Sequence, residues 1–559
     1  MIGVIADPAE HDVVREFFEL FKTPWEFWRE DRRYDVLICT GEREVRSGAK
    51  VVIVYSARHL KSDDHAKILV RSAAAKSSIL LYAEDRFPIY GNVISFGHNP
   101  AGLLAIEGSD ECLAYPKKIG DATYIRVGYD LFAEIRTLLT AGQPPENASY
   151  PTVELHITFL RDVITACGES LLEIPPVPNG YQFLVCLTHD VDHPSIRQHK
   201  WDHTAIGFWV RAVFGSLVDA VLGRLSVSDL LRNWAAAAKL PFVYLGLARD
   251  FWRDFDVRYL EIEAGLPSTF FVIPRKGYPG KRLDGSAPVL RGSGYAANEI
   301  TGTINNLVAA GCEVGLHGID AWLDSSVGSD ELNEIRRLSG SSEIGTRMHW
   351  LYYDDQSPTA LEKAGAAYDS TIGYNVTVGY RAGTTQAYKP LQTNQLLELP
   401  LHAMDTALFY LSYLGLCQRK ANLRLRELAD NAERYGGCLV INWHDRSLAP
   451  ERLWGGTYRE LIQDLKARGA WFATAGQAVS WFRKRRSATI EIMEDSSVRI
   501  RLSNPSYRCL PDLRLRAHRG ANVVGTGIHH SGDYVDISAE QCGIQCVPFE
   551  RDSIIPREV

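Results

Sequence analysis

The region from residue 181 to about 486 repeats one pattern, in which a short apolar run precedes a stretch with helical periodicity. Seven runs are typical of buried strands: 183–188, 268–274, 312–317, 344–348, 396–401, 438–444 and 470–474. Strands that alternate with helices favour a parallel sheet, and about seven of them predict a β/α barrel. This repeat constrains the fold more than any other feature of the chain.

Titratable side chains stand at the carboxyl ends of four of these runs. They are Asp190, Asp192, His317, Arg347, His349, His444 and Asp445. Because the active sites of β/α barrels collect at the carboxyl ends of the strands, we expect these side chains to form one site.

Asp190 and Asp192 lie two positions apart, so on an extended strand both face the same way. Two such carboxylates cannot both ionise comfortably in a dry site unless a cation lies between them. A divalent metal near one leaves the other free to act as general base for a water molecule. The pair alone is equally compatible with a structural role, a turn cap and an arginine partner. His317 and His444 at comparable strand ends favour the metal.

The motifs resemble those of a known family. In chain order they are "LTHDVDHP", "STFFVIP", "EVGLHG" and "VINWHD". Together they resemble the polysaccharide deacetylase family, and most closely its bacterial branch with a Thr-His-Asp-Val-Asp-His motif. The resemblance covers roughly 181–486. It implies a deformed β/α barrel that removes N- or O-acetyl groups from sugars with a divalent metal, usually zinc.

The resemblance also implies roles for single residues. Asp190 matches the general base, and Asp192 and His317 match metal ligands. Arg347 matches the arginine that holds the base, and His444 matches the general acid. Two further carboxylates, Asp445 and Asp405, are predicted to support these groups from behind.

One position departs from the family pattern. The second metal histidine of the family falls four residues after the first, where this chain has Ala321. One aspartate and one histidine make a poor zinc site, so a third ligand is needed. His193, Asp320 and His349 are the candidates, and we expect His193 or His349. His189 is expected to pack beneath the site.

Aromatic and amide-rich stretches suggest where a sugar would bind, because aromatic faces stack on pyranose rings. Trp350, Trp443 and Tyr380 are predicted to contact substrate, although such residues are equally common in cores. Arg381 lies in a Gly-Tyr-Arg-Ala-Gly loop, and for this residue a role in substrate binding is favoured over a structural one.

Around the barrel region, 181–486, we predict three further segments and one insert. Residues 1–110 form a small α/β domain of unknown role, 111–180 a helical connector, and 487–559 a β-rich, sandwich-like domain. A helical insert spans about 200–255, and its Trp, Phe, Leu and Arg side chains at 205–252 suit a peripheral membrane contact or a cap. Packing as an ordinary helical insertion is the alternative. Cys542 and Cys546 make only a weak case for a second zinc site.

The net charge, the N-terminal sequence and the cysteine content narrow the possible classes of function. The net charge of −7 over 559 residues gives no sign of a nucleic-acid partner. The start lacks the features of a secretory signal, and ten scattered cysteines suit a reducing compartment, so we expect a cytoplasmic protein. The expected partner is an acetylated saccharide, such as an exopolysaccharide precursor; the sequence leaves the oligomeric state open. The alternatives are a catalytically impaired, glycan-binding relative and a hydrolase of non-sugar amides.

Overall fold

The computed structural model divides the chain into two compact units, each described by itself. One comprises Met1–Gly180, Ala382–Thr384 and Ser480–Val559, and the other comprises Tyr181–Arg381 and Thr385–Val479. The structure describes residues 1–42, 48–74, 78–97, 102–199, 202–221, 223, 225–492, 498–504, 509–518, 521–523, 528–531, 534–538 and 549–551. Cys542 and Cys546 lie outside these ranges. The predicted four-segment organisation stays a prediction.

The unit that contains Tyr181–Arg381, called the barrel unit below, is built on a parallel sheet of seven strands. In chain order they are Leu184–Val191, Ser268–Val272, Glu313–Gly318, Thr346–Met348, Ala403–Met404, Cys438–Asn442 and Trp471–Phe472. The first strand pairs with the second on one edge and with the sixth on the other. The first, second and sixth strands are buried throughout, as apolar strands between helices should be.

Two short segments close this sheet into a barrel. Thr346 on the fourth strand forms a parallel bridge to Asp369, and Asp369 forms a parallel bridge to Glu398. The N–H of His402 then donates to the carbonyl of Val440 on the sixth strand, 3.1 Å away. The predicted deformed β/α barrel is confirmed by this closed parallel arrangement.

Helices alternate with the barrel strands, as the pattern predicts. They span Phe255–Glu263, Thr301–Ala309, Ser325–Ser339, Ser357–Ala364, Asp405–Phe409, Gln418–Tyr435, Gly455–Ala467 and Ala475–Ser487. The helix after the third strand shows how sequence sets these bounds. The Asp324 side chain caps its start by accepting backbone N–H groups, and Gly340 ends it with φ 72°.

A helical insert separates the first and second strands. Its segments are His203–Trp209, the π-helical Val210–Gly215, Ser216–Val221 and Val227–Tyr244. Phe208, Leu240 and Trp252 belong to a buried apolar cluster of this region, so the insert has a packed core of its own. None of the helices in the described residues combines the length and the apolar character that crossing a membrane requires.

The other unit contains a nine-stranded mixed sheet. In spatial order its strands are Trp25–Phe27, Ile2–Ile5, Val36–Thr40, Val51–Tyr55, Ala122–Val127, Cys112–Ile119, Leu104–Ile106, Ser78–Tyr82 and Asp85–Ile89. The first five are parallel, which confirms the predicted α/β character, and the remainder pair antiparallel. Its helices are His11–Phe21, Lys61–His65, Leu131–Leu139 and Thr152–Ala166. Two more strands, Arg71–Ala74 and Val93–Ser95, pair with each other.

The described C-terminal residues are β-rich and antiparallel. The hairpin Ala488–Ile492 with Val498–Leu502 comes first. A four-stranded sheet then joins Leu171–Glu173 to Arg514–His518, Tyr534–Ser538 and Ile528–Ser531. Ala521–Val523 pairs with Phe549–Arg551. Alternation of apolar and polar residues predicted such a half-exposed sheet, but the strand from 171–173 was not anticipated.

The burial of His156 allows us to predict how the stability of this unit depends on pH. It is fully buried, its Nδ1 lies 3.1 Å from the Tyr129 hydroxyl, and its Nε2 has no hydrogen-bond partner. Burial lowers the pKa of His156 to about 3. Below about pH 6.5 the unfolded chain therefore binds a proton that the folded chain excludes, and stability falls by up to about 1.4 kcal/mol per pH unit.

Urea denaturation near pH 7.5 and pH 5 measures this loss. We expect a smaller loss in His156→Phe than in the unaltered protein. The control Tyr129→Phe removes the hydroxyl but keeps the imidazole, so its loss should match that of the unaltered protein. An equal loss in all three proteins would contradict the assignment.

Candidate functional site

The predicted polar residues converge at the carboxyl ends of the parallel strands. The Nε2 atom of His317 lies 3.3 Å from Asp192 Oδ1 and 3.9 Å from Asp190 Oδ2. The two aspartates therefore face the same side, as their spacing predicts. The Nε2 atom of His444 lies 3.7 Å from Asp192 Oδ2. Three strand ends thus meet around one carboxylate.

Asp192, His317 and His349 form a cluster in which one ligand atom from each lies within 4.8 Å of the others. His349 follows the fourth strand, and its Nε2 lies 3.7 Å from Asp192 Oδ1. The Nδ1–H of His317 donates to the carbonyl of Arg347 at 3.0 Å, which leaves Nε2 as the ring nitrogen directed toward Asp192. We call these three residues the metal cluster.

The metal cluster fits a divalent cation. Asp192 Oδ1 and His349 Nδ1 are buried without a hydrogen-bond partner. Burial raises the pKa of Asp192, but the neighbouring side chains of His317, His349 and His444 hold it well below its usual range. Burial keeps the pKa of His349 well below its usual range. A carboxylate oxygen and imidazole nitrogens are ligand atoms that metals such as zinc prefer.

Asp190 is held by hydrogen bonds on both carboxylate oxygens. Arg347 Nη1 donates to Oδ1 at 3.1 Å, and Asn442 Nδ2 donates to Oδ2 at 2.8 Å. The backbone N–H of Asp190 donates in return to Asn442 Oδ1 at 3.1 Å. Arg347 is anchored by donating to Thr188 Oγ1 and the Ser370 carbonyl. These bonds fix the position of the carboxylate beside the metal cluster.

Sequence reasoning missed Asn442. It precedes His444 by two positions on the run "VINWH", so the spacing that puts Asp190 and Asp192 on one face also puts Asn442 and His444 on one face. That spacing was a usable signal.

His444 is paired with Asp405 rather than with its chain neighbour. Its Nδ1–H donates to Asp405 Oδ1 at 2.6 Å, and its backbone N–H donates to Asp405 Oδ2 at 2.8 Å. Burial lowers the pKa of His444, but the charge of Asp405 and this hydrogen bond outweigh burial and raise it to about 10. The imidazolium can therefore donate a proton from Nε2 toward the cavity.

Asp445, the other predicted supporting carboxylate, has a different task. It accepts the backbone N–H groups of His193 at 2.7 Å and Arg446 at 2.9 Å, and it thereby fixes two loops. Burial and the charge of Asp192 raise the pKa of Asp445 to about 7.

Two other candidate ligands and His189 lie away from the metal cluster. His193 Nδ1 lies 3.0 Å from His199 Nε2. Asp320 accepts hydrogen bonds from the Tyr278 hydroxyl and the Lys281 N–H. His189 is buried, with its two ring nitrogens 2.8 Å from the Trp443 carbonyl and Glu263 Oε1. Among the described residues, His349 is therefore the candidate ligand that joins Asp192 and His317 in the metal cluster.

A cavity of about 1010 Å³ opens over the metal cluster. Of the four residues predicted to contact substrate, only Trp350 lines it. Trp350 lines it, 38% exposed and with φ 61°, together with Tyr352. Trp443 and Tyr380 do not line it, because both are fully buried in the core. Arg381 is also absent from the lining, and it donates to the Gly373 carbonyl.

Comparisons with known proteins give structural likeness only. No family model and no curated protein matches the sequence. A protein assigned as a polysaccharide deacetylase in Mycobacterium smegmatis is 18% identical, with a TM-score of 0.34, over 56% of this chain and 95% of its own. A probable polysaccharide deacetylase from Pseudomonas aeruginosa PAO1 is 14% identical, with a TM-score of 0.35, over 56% and 94%. Puue allantoinase is 13% identical, with a TM-score of 0.34, over 55% and 91%. Two of these three solved structures carry the name of the family that the sequence motifs resemble.

Proposed function

We propose that the barrel unit hydrolyses acetyl groups, most readily N-acetyl groups, of a saccharide or polysaccharide precursor with the help of a divalent metal, zinc in the first instance. One observation carries this proposal. A cluster of metal-ligating atoms lies between a clamped carboxylate, Asp190, and an imidazolium, His444, at the floor of a large cavity. Base, cation and acid are the parts that amide hydrolysis needs.

Each residue then has a defined task. Asp192, His317 and His349 would hold the cation, which supplies Lewis acidity to the acetyl carbonyl when bound. Asp190 accepts a proton from the attacking water as its oxygen bonds to the carbonyl carbon. His444 delivers a proton to the nitrogen as the carbon–nitrogen bond breaks, and the products are acetate and an amino sugar. Arg347 and Asn442 orient Asp190, and Asp405 orients His444.

The competing hypothesis was a glycan-binding protein without catalysis. It depended on Ala321, which stands where the family has its second metal histidine and is fully buried. His349 lies within reach of the same carboxylate from a neighbouring strand end, so the substitution at 321 does not leave the cluster short of a third ligand. This geometry favours the enzyme.

Metal content tests the cluster directly. We expect His349→Gln to lower the affinity for Zn²⁺ by more than about 100-fold, because even supporting residues are worth about 10–100-fold. His193→Gln is the matched control, since His193 lies with His199 outside the cluster. Elemental analysis after dialysis against a chelator buffer measures both. Retention of metal in His349→Gln with loss in His193→Gln would reverse the assignment.

If Asp190 is the general base, its replacement should reduce turnover without loss of the bound metal. In Asp190→Asn the metal should remain, whereas kcat for acetate release from an N-acetylated oligosaccharide should fall by about 10²–10⁴-fold, the value of a general base. Asp330→Asn, which changes an exposed carboxylate of the same unit, should leave kcat unaltered. Acetate release that survives in Asp190→Asn would rule out this base.

We also propose that the helical insert lies against a membrane surface, where a precursor saccharide could be presented. Its exposed apolar side chains include Phe214, Val221 and Leu247, at 67%, 79% and 75% exposure. Trp209 and Trp234 are exposed beside them, and tryptophan favours the membrane–water interface. Apolar exposure on this scale is unusual for a surface that only meets water. The protein would then act from the cytoplasmic side.

Vesicle flotation tests this contact. Phe214→Ser with Leu247→Ser should weaken binding to phosphatidylcholine–phosphatidylglycerol vesicles by about tenfold or more, because each apolar side chain contributes about 1.5–3 kcal/mol when buried. Leu69→Ser, which changes an equally exposed side chain outside the insert, is the control. Equal binding by all three proteins would show that the insert does not contact the membrane.

A further inference from the structure

Five arginines line the cavity that also contains Asp192 and His444, and in three of them the charge of one acts on that of the others. Arg211 comes from the π-helical segment Val210–Gly215 of the insert. Arg446 and Arg452 come from the loop that follows the sixth barrel strand. None of the three has a part in the proposed hydrolysis. We call them the arginine cluster.

The guanidinium groups of the arginine cluster have unused donors. The Nε atoms of Arg211, Arg446 and Arg452, and Nη1 of Arg452, are buried without a hydrogen-bond partner. Arg452 is only 7% exposed, and its Nη2 donates to the Tyr410 hydroxyl at 2.8 Å. Its guanidinium also lies 4.7 Å from the ring centroid of Trp454, which restricts its movement. Buried donors without partners beside a cavity indicate that a ligand with acceptor atoms is missing from it.

The carboxylates near the arginine cluster have other hydrogen-bond partners or a raised pKa. All three arginines act on the charge of Glu451, and burial raises its pKa. Its Oε1 accepts the indole N–H of Trp252, and its Oε2 has no partner. Burial and repulsion from Arg452 lower the pKa of Arg211 to about 10. Asp405 also acts on Arg452, and Asp445 acts on Arg446, but these two carboxylates accept hydrogen bonds from His444, Ser447 and backbone N–H groups.

The pKa of Tyr410 reflects the positive charge of the arginine cluster. Burial raises the pKa of its hydroxyl, but the charges of Arg452 and Arg446 outweigh burial and lower the pKa to about 8. The charge of His444 acts on Tyr410 in the same direction, which places the arginine cluster close to the reacting end of the cavity.

We propose that the arginine cluster is a subsite for a phosphoryl group carried by the saccharide substrate. Guanidinium forks match the oxygens of phosphate, and three neighbouring guanidinium groups with unused donors suit the several oxygens of a phosphate dianion better than the two of a carboxylate. The assignment to the substrate rests on the proposed function, whereas the binding of the anion does not. A sugar phosphate and a lipid-linked sugar diphosphate present the same group.

Calorimetric titration of the full chain with pyrophosphate tests the subsite without any turnover. Arg211→Gln and Arg452→Lys should each weaken binding at least tenfold. Arg232→Gln is the matched control, because Arg232 lies on the insert, is exposed and pairs with Asp229. Asp192→Asn should retain binding, since it alters only the metal cluster. No binding by the unaltered protein, or binding lost in Asp192→Asn and kept in both arginine variants, would overturn the proposal.

Kinetics of acetate release then show which compound presents the phosphoryl group to the arginine cluster. N-acetylglucosamine 1-phosphate should show a KM at least tenfold below that of N-acetylglucosamine, and Arg211→Gln should abolish the difference. An N-acetylated lipid-linked sugar diphosphate that is preferred over the soluble phosphate identifies the lipid carrier as the source. Tighter use of an N-acetylated uronic acid than of the phosphate would overturn the phosphoryl assignment. If no acetate is released from any compound while pyrophosphate still binds, the proposed hydrolysis fails and the anion subsite stands.

Discussion

The structure of the site depends on the buried carboxylate of Asp192. Imidazole nitrogens of His317, His349 and His444 lie 3.3–3.7 Å from its oxygens, and Oδ1 has no hydrogen-bond partner. Burial of a carboxylate is costly unless opposite charge or hydrogen bonds offset it. The closed parallel barrel brings four strand ends together around this one group. Its burial is explained if a cation completes its surroundings.

The third ligand shows how a motif can change while the geometry stays usable. The family that the sequence motifs resemble places its second histidine four residues after the first, where this chain has Ala321. His349 reaches the same carboxylate from the end of the fourth strand, beside His317 on the third. Neighbouring strands of a parallel sheet end at one edge, so a ligand can move between them without changing the distances that a metal requires.

Much of this arrangement could be predicted from the sequence, because apolar runs and their polar ends follow the strand period. Closure of the barrel could not. The run at 396–401 forms only isolated bridges, since Pro400 lacks an N–H to extend a ladder. Asp405 was a less obvious partner for His444 than the adjacent Asp445, because pairing across 39 residues leaves no local signal. Trp443 and Tyr380 were wrongly expected at the cavity for the same reason: burial of aromatics depends on tertiary packing.

Different parts of the architecture supply the charged groups of the cavity. Barrel strand ends supply Asp190, Asp192 and the histidines, which suit a cation and proton transfer. The insert supplies Arg211, and a loop supplies Arg446 and Arg452, which suit an anion. Loops and insertions vary more readily than barrel strands, so substrate preference can change while the chemistry is kept. A chain that extends one strand connection into a packed helical insert, and points an unpaired arginine from it into the cavity, has the means to select a charged saccharide over a neutral one.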